Sequence, residues 1–417
     1  MPVGESRIET RYSTMESPMD HDLLVVGAGI SGLSMAYYAA EAGLKVRVLE
    51  QEQRPGGCLH SHRFGDASQF WLELGAHSAF NSYGNLLALL ESAQALDRLR
   101  KRAKVGFRMF VDGKVRGIPS QLSIPNLLPA PWRLRGASKV GRTVAEYYGR
   151  IVGQRNYEAV FGPAFDAVIC QPAGDYPAES LFQARPRRKD VPRGFTMEGG
   201  LQTIADLLSA RPGLAVERDR AVRAVRREGE TFVIQTEQGD YTARALCLAT
   251  PVAVAAGLLK GAFPAVAGLL AEIGTATVET VGVALPADRL RLPPVAGLIG
   301  RNQPFYSIVS RDTVPDARWR GFSFHFRPAV LDEQGRLDCI ARVLNVPKAE
   351  LGSENTVFKI NQLPALRVGQ GERAIRLDIA LAGTRLALAG NYFGGVAIED
   401  CVARARAEFE RLQRQGW

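Results

Sequence analysis

The chain has 417 residues, a net charge of +9 and an ordinary apolar fraction of 46%, enough for two or three globular domains with a sizeable core. No run of about 20 uncharged apolar residues occurs, so no transmembrane helix is expected. Cys58, Cys170, Cys247, Cys339 and Cys401 are scattered, without CxxC spacing. That fits a reducing cytoplasm and excludes a disulfide framework or structural zinc.

Residues 1–19 are polar and lack the apolar run of a secretory signal; they read as a disordered leader, with Met15 or Met19 as candidate starts. Residues 22–32 (DLLVVGAGISG) read as a buried parallel strand followed by a GxGxxG turn. Gly27 allows the tight turn, Gly29 lets a pyrophosphate approach the backbone, and Gly32 lets the next helix pack on the sheet. That helix, roughly 31–42, starts under the phosphates, where free N–H groups and the positive dipole end favour an anion and make Ala28, Ile30 and Ser31 cofactor-binding candidates. Gly43 stops it. A second strand, 45–50 (KVRVLE), ends in Glu50, 23 residues after Gly27. A carboxylate there accepts hydrogen bonds from adenosine ribose hydroxyls. With Gln51 beside it and a second glycine pair in 54–57 (RPGG: Arg54, Gly56, Gly57), the pattern points to FAD as the cofactor.

His60 and His62 have HxH spacing, but no carboxylate or cysteine cluster joins them, so no metal is expected. Helical patterning covers 84–100, and a strand pair follows at 107–111 and 114–118 around Gly113. In 119–134 four prolines interrupt apolar residues, with Trp132 and arginines at the end. This cannot be one regular helix; it is a lid, a core-covering loop or a membrane-surface contact. Two helices are expected near 140–151 and 157–170.

The cofactor domain then resumes. A helix follows 198–200, a hairpin turns at Gly229 and Glu230 with Val222 on its first strand, and a buried strand at 245–249 ends in Thr250. A further excursion, 277–364, has strand-like runs at 278–285, 305–310 and 321–326. A last strand leads to a glycine turn, Gly390 to Gly395, then Val396, Ala397 and a helix to about 413. The expected fold class is α/β: a Rossmann-like FAD-binding domain (20–80, 195–276 and 365–417), a mostly helical insertion (81–194) facing substrate or membrane, and a sheet-containing substrate domain (277–364). The pocket would lie at their junction.

These residues resemble the FAD-dependent amine oxidase superfamily, and within it the protoporphyrinogen oxidases. The resemblance rests on 71–77 (WLELGAH), on Phe161 to Ser180 with its Gly174-Asp175 pair, on 197–204 (MEGGLQTI) and on 390–402 (GNYFGGVAIEDCV). It implies that Gly27, Gly29, Gly32, Glu50, Gly57 and the Val222 backbone hold ADP and ribose. Arg54, Gly56, Gly75 and Ala76 would lie toward the ribityl chain and flavin, and Gly395, Val396 and Ala397 would border the isoalloxazine. Several family members carry Arg or Asn where His77 stands, and 360–366 (INQLPAL) lacks the two aromatics of the family's matching stretch.

The implied reaction is flavin-mediated dehydrogenation of a porphyrinogen, a carboxylated tetrapyrrole. Such a macrocycle needs an apolar slot with arginines at its rim. Phe305, Tyr306, Phe322, Phe324, Phe326 and Tyr392 are candidates to line it. At period two, Phe322, Phe324 and Phe326 share one strand face, as slot wall or as plain sheet core. His77 meets a carboxylate, tunes the flavin, or is a satisfied half-buried histidine. No acid–base dyad or nucleophile stands out, and hydride transfer to a flavin needs none.

Two alternatives stay open: an amine oxidase or polyene desaturase of the same superfamily, and an FAD-binding protein without turnover. Residues 261–347 contain no lysine, which counts against an amine oxidase with a flavin-side lysine. The basic surplus favours acidic partners, but no nucleic-acid-binding signature accompanies it, so no nucleic acid is expected. A peripheral contact with the inner face of a membrane and a homodimer are both compatible with the sequence.

Overall fold

The computed structural model describes residues 20–65 and 70–416; the proposed leader, 1–19, lies outside them. The first sheet has the order β10 (Leu214–Glu217), β2 (Val46–Leu49), β1 (His21–Val26), β13 (Gly239–Leu248), β12 (Thr231–Thr236), β11 (Val222–Glu228). β19 (Leu386–Leu388) runs parallel to the second half of β13. The β10, β2, β1, β13 and β19 pairings are parallel, and β11–β12–β13 is an antiparallel meander.

Parallel strands covered on both faces read as unbroken apolar runs, and β1 shows why. Leu23 and Val25 face α1 (Ile30–Glu41) and α4 (Ile398–Arg414), while Leu24 and Val26 enter a separate core below the sheet. All but Val26 are fully buried, each contributing about 1.5–3 kcal/mol.

The second sheet has the order β18 (Thr356–Ala365), β14 (Gly274–Pro286), β17 (Trp319–Phe326), β16 (Phe305–Ser310), β15 (Gly297–Gly300), β7 (Phe107–Val111), β8 (Lys114–Arg116). The hairpin β7–β8 comes from the insertion expected to be mostly helical, so that insertion and residues 277–364 share one sheet. On one face, Phe305, Phe322, Phe324 and Phe326 pack with Cys339, Ile340 and Val343 of α3 (Glu333–Leu344). The opposite face lies against β4 (Trp71–Glu73), which pairs with β3 (Ser61–Arg63). A small sheet joins β5 (Ala79–Phe80), β9 (Gly194–Met197) and β6 (Leu99–Lys101).

The helix expected over 84–100 ends at Ser92. Gln94 takes a left-handed turn (φ 53°), and Leu99–Lys101 leaves to pair with β9. The proline-interrupted segment forms two short helices, Ile124–Leu127 and Ala130–Leu134. Their outer face exposes Ile124, Leu128, Trp132 and Leu134. No helix is long and apolar enough to cross a membrane among the described residues.

Candidate active site

The glycine turns meet as one cradle. Gly27 has φ 97°, and a Cβ there would lie 2.8 Å from the Ala249 carbonyl oxygen, so only glycine passes beneath the β13 end. Thr250 follows directly beside it. Gly29 and Gly56 form a parallel bridge, with the Gly56 N–H donating to Ala28 O at 2.7 Å. A Cβ on Gly57 would touch Gly29 Cα at 3.4 Å.

α1 starts at Ile30 without a side-chain cap, leaving its first N–H groups to an incoming anion. No protein atom lies within 4 Å of where a Gly29 Cβ would stand. An open space over an uncapped helix start fits a pyrophosphate.

Glu50 ends β2 almost fully buried. Its Oε2 accepts from Ala28 N at 2.7 Å and its Oε1 from Glu52 N at 2.9 Å. Burial raises its pKa, and the two N–H groups counter part of that. Each oxygen keeps a lone pair for a ribose hydroxyl. Arg220 N donates to Glu50 O at 2.8 Å, which brings Val222, two residues on, toward Glu50. Gln51 is exposed.

Arg54 organises the loop from within. Its Nη1 donates to Pro55 O, Leu59 O and Gln202 Oε1, and its Nη2 to Gly57 O. The loop then supports Gly75: Ala76 N donates to Cys58 O at 2.9 Å, and a Cβ on Gly75 would overlap that oxygen.

The C-terminal glycine turn arrives on the same side. α4 packs along α1, and the Cys401 thiol contacts the Ser31 hydroxyl. Asp400 accepts from Ala397 N at 3.3 Å, pairs with Arg185, and lies where a Gly395 Cβ would project. Val396 and Ala397 are half-buried at the start of α4, and Gly390 is buried under the Tyr392 ring. The structure thus gathers both glycine sites at adjacent helix N-termini.

The proposed aromatic slot is corrected. Phe305 and Phe324 are fully buried in the core against α3, on the face of the sheet turned away from β4. Tyr392 is fully buried against Phe393 beneath the first sheet. The β17 face turned toward β4 carries Ser323 and His325 instead. Ser323 Oγ donates to Glu73 O at 2.5 Å. His325 Nδ1 lies 3.1 Å from Thr280 Oγ1, and Asn361 Nδ2 donates to Leu74 O at 2.9 Å and to Thr280 Oγ1 at 3.4 Å. This network pins the strand that leads into Gly75–His77. Sequence reasoning missed it, although the polar residues alternating with the phenylalanines of 319–326 were its signal.

His77 stands beside His325, its Nδ1 3.4 Å from Gly75 O. Burial, then the nearby Arg102 charge, lowers the His77 pKa to about 4. Burial, then His77, lowers that of His325 to about 3. Both imidazoles are neutral at pH 7. Among the described residues no cluster of three His, Cys, Asp or Glu side chains is arranged to hold a metal.

Comparison with known proteins agrees with this layout. Residues 25–93 match the NAD(P)-binding Rossmann-like domain, and residues 145–289 match the flavin containing amine oxidoreductase family. Over residues 145–289 the chain is thus similar to the flavin-containing amine oxidase superfamily. Its cofactor is FAD.

Among curated relatives, 15-cis-phytoene desaturase of Narcissus pseudonarcissus is 36% identical over 110 residues, 26% of this chain and 19% of that protein. L-amino-acid oxidase of Daboia russelii is 58% identical over 41 residues, 10% of this chain and 8% of that protein. The chain thus spans a fifth or less of these relatives' length. Among solved structures, a candidate protoporphyrinogen oxidase from Exiguobacterium has TM-score 0.74 at 19% identity, covering 94% of this chain and 98% of that one. Putrescine oxidase bound to putrescine has TM-score 0.68 at 15% identity, covering 94% and 99%. These likenesses establish the fold over nearly the whole chain.

Proposed function

We propose that this flavoenzyme dehydrogenates a carboxylated, porphyrinogen-type substrate. One observation carries the reading. The half-buried Gly75–His77 segment is tied to the cofactor cradle through Cys58 and to the second sheet through Asn361, so a molecule reaching His77 would also reach a bound flavin. The flavin, when bound, supplies the acceptor for a hydride. Gly27, Gly29, Glu50 and Gly57 hold its dinucleotide part, and Gly75, Ala76 and the Gly395–Ala397 turn border its ring.

The chain's task at the reacting end is orientation and exclusion of water. The neutral imidazole of His77, held beside the buried His325, would offer a polar contact without adding charge beside the ring. The resemblance at 390–402 favours a porphyrinogen, and the absence of lysine from 261–347 disfavours an amine. The local likeness to phytoene desaturase favours a polyene as the second reading. Exposed Ile124, Leu128 and Trp132 beside Arg133 and Arg135 support a peripheral contact with an anionic membrane surface.

Anaerobic mixing with protoporphyrinogen or coproporphyrinogen is expected to bleach the flavin absorption band. No bleaching with either, and bleaching with a polyene, would replace the porphyrinogen reading with the second one.

A further inference from the structure

β18 is an outer strand of the second sheet, and among the described residues its only ladder is with β14. Unpaired N–H and C=O groups on such an edge invite another strand, so long edges are blunted by an outward charge, a bulge or a proline. β18 runs for ten residues, and its register with β14 carries no bulge. Its one charged residue, Lys359, lies on the face turned toward the cofactor domain, where Nζ meets both Glu52 carboxylate oxygens at 3.3 Å.

The parity of the ladder decides which backbone groups point outward. Ala284 N donates to Asn355 O at 2.9 Å, one step beyond the Val283–Thr356 pair. Bonded and non-bonded pairs alternate along an antiparallel ladder. Val357, Lys359, Asn361 and Leu363 therefore bond β14, and Thr356, Phe358, Ile360, Gln362 and Pro364 turn their groups outward. The two ends agree with this. Thr356 N donates away from the ladder to Gly352 O at 3.0 Å, and Pro364 O accepts from Gln171 Nε2 at 3.1 Å. Proline has no N–H, as suits an outward position on an edge. Between these stops, the N–H and C=O groups of Phe358, Ile360 and Gln362 have no partner among the described residues. Their side chains are exposed as well, Phe358 by 48% and Ile360 by 54%.

The open window is symmetric about Ile360. A second β18 laid antiparallel along it, with Ile360 against the partner's Ile360, sets Phe358 against the partner's Gln362 and Gln362 against the partner's Phe358. Each pair exchanges two N–H···O bonds. The next pair, Thr356 with the partner's Pro364, has no free N–H on either side, so the ladder stops where the donors do. Lys359 falls opposite the partner's Asn361, and no like charges are opposed. Any extended strand satisfies an open edge; this one also satisfies itself.

We propose that two copies of this chain pair through β18, antiparallel about a two-fold axis at Ile360, and join their second sheets into one. The closed symmetry leaves neither β18 edge open.

Sedimentation velocity of the purified holoenzyme over a concentration series is expected to show a reversible monomer–dimer equilibrium. Ile360→Lys sets two ammonium groups against each other across the axis and weakens the dimer about tenfold, and Ile360→Glu does the same with two carboxylates. Mixing the two variants is expected to restore dimers, because the axis then brings opposite charges together. Gln362→Pro removes one outward N–H from each copy without touching a β14 bond, and carries the test if a charged variant does not fold. Amide hydrogen exchange reads the edge directly. Phe358, Ile360 and Gln362 are expected to exchange slowly in the dimer and fast on dilution, while Lys359 and Asn361 stay slow in both. A monomer at every concentration, or a dimer indifferent to Ile360→Lys and Gln362→Pro, overturns the proposal. Slow exchange of Phe358 and Ile360 in a monomer also overturns it, and assigns the edge to another segment of the same chain.

Discussion

Alanine at Gly29 and alanine at Gly32 separate the cofactor cradle from the fold that builds it. Gly29 has φ −69° and ψ 175°, an extended conformation open to any residue. Its Cβ would meet no protein atom within 4 Å. In the apoprotein, Gly29→Ala therefore costs nothing and gains about 0.4–1 kcal/mol by restricting the unfolded chain. With FAD present the methyl stands where the pyrophosphate must approach. Losing one charged hydrogen bond costs about 1.5–3 kcal/mol, or roughly 10- to 150-fold in Kd. At Gly32 the Cβ would overlap the Gly27 carbonyl oxygen and lie 3.1 Å from Ala249 Cβ. The obstacle is backbone, so α1 must lift from β1, at about 3 kcal/mol. Apoprotein Tm and FAD titration by fluorescence quenching read the two effects. Gly29→Ala binding FAD as wild type does, or lowering the apoprotein Tm as much as Gly32→Ala, would refute the placement.

Asn361→Leu leaves the Leu74 carbonyl without its side-chain donor; it is expected to destabilise by about 1–3 kcal/mol in urea unfolding and to shift the flavin visible spectrum through Gly75–His77. His325→Gln tests the neutral imidazole by pH. The folded pKa lies below the ordinary 6.5, near 3, so stability is present above 6.5 and is lost as pH falls toward 3. Between pH 6.5 and 5 the wild type is expected to lose about 2 kcal/mol more than the variant; parallel losses would exclude His325 as a buried neutral group.

The cofactor half of the molecule was legible because its constraints are local. A glycine that must pass under a carbonyl, as Gly27 does under Ala249, leaves a mark in the sequence whatever surrounds it. The substrate half depends on which face of a strand points where. In 319–326 the phenylalanines drew attention as a slot, yet large aromatics gain most by burial against α3. That left Ser323 and His325 for the site. Asn361 was passed over because its stretch was judged by the aromatics it lacks. The pairing of Leu99–Lys101 with β9, which ends the helix begun at Gly84, is tertiary and has no local signature.

The order of strands in the first sheet has a consequence for how the protein is made. β13 receives β1 on one side and β19 on the other, and β19 lies about 140 residues further along the chain. Until Leu386–Leu388 and α4 have emerged from the ribosome, β13 keeps an open edge and α1 an uncovered apolar flank. Contacts so distant in sequence form late and slowly. Flavin capture therefore belongs to the end of synthesis, and the nascent chain is at its most aggregation-prone between the translation of β13 and that of α4.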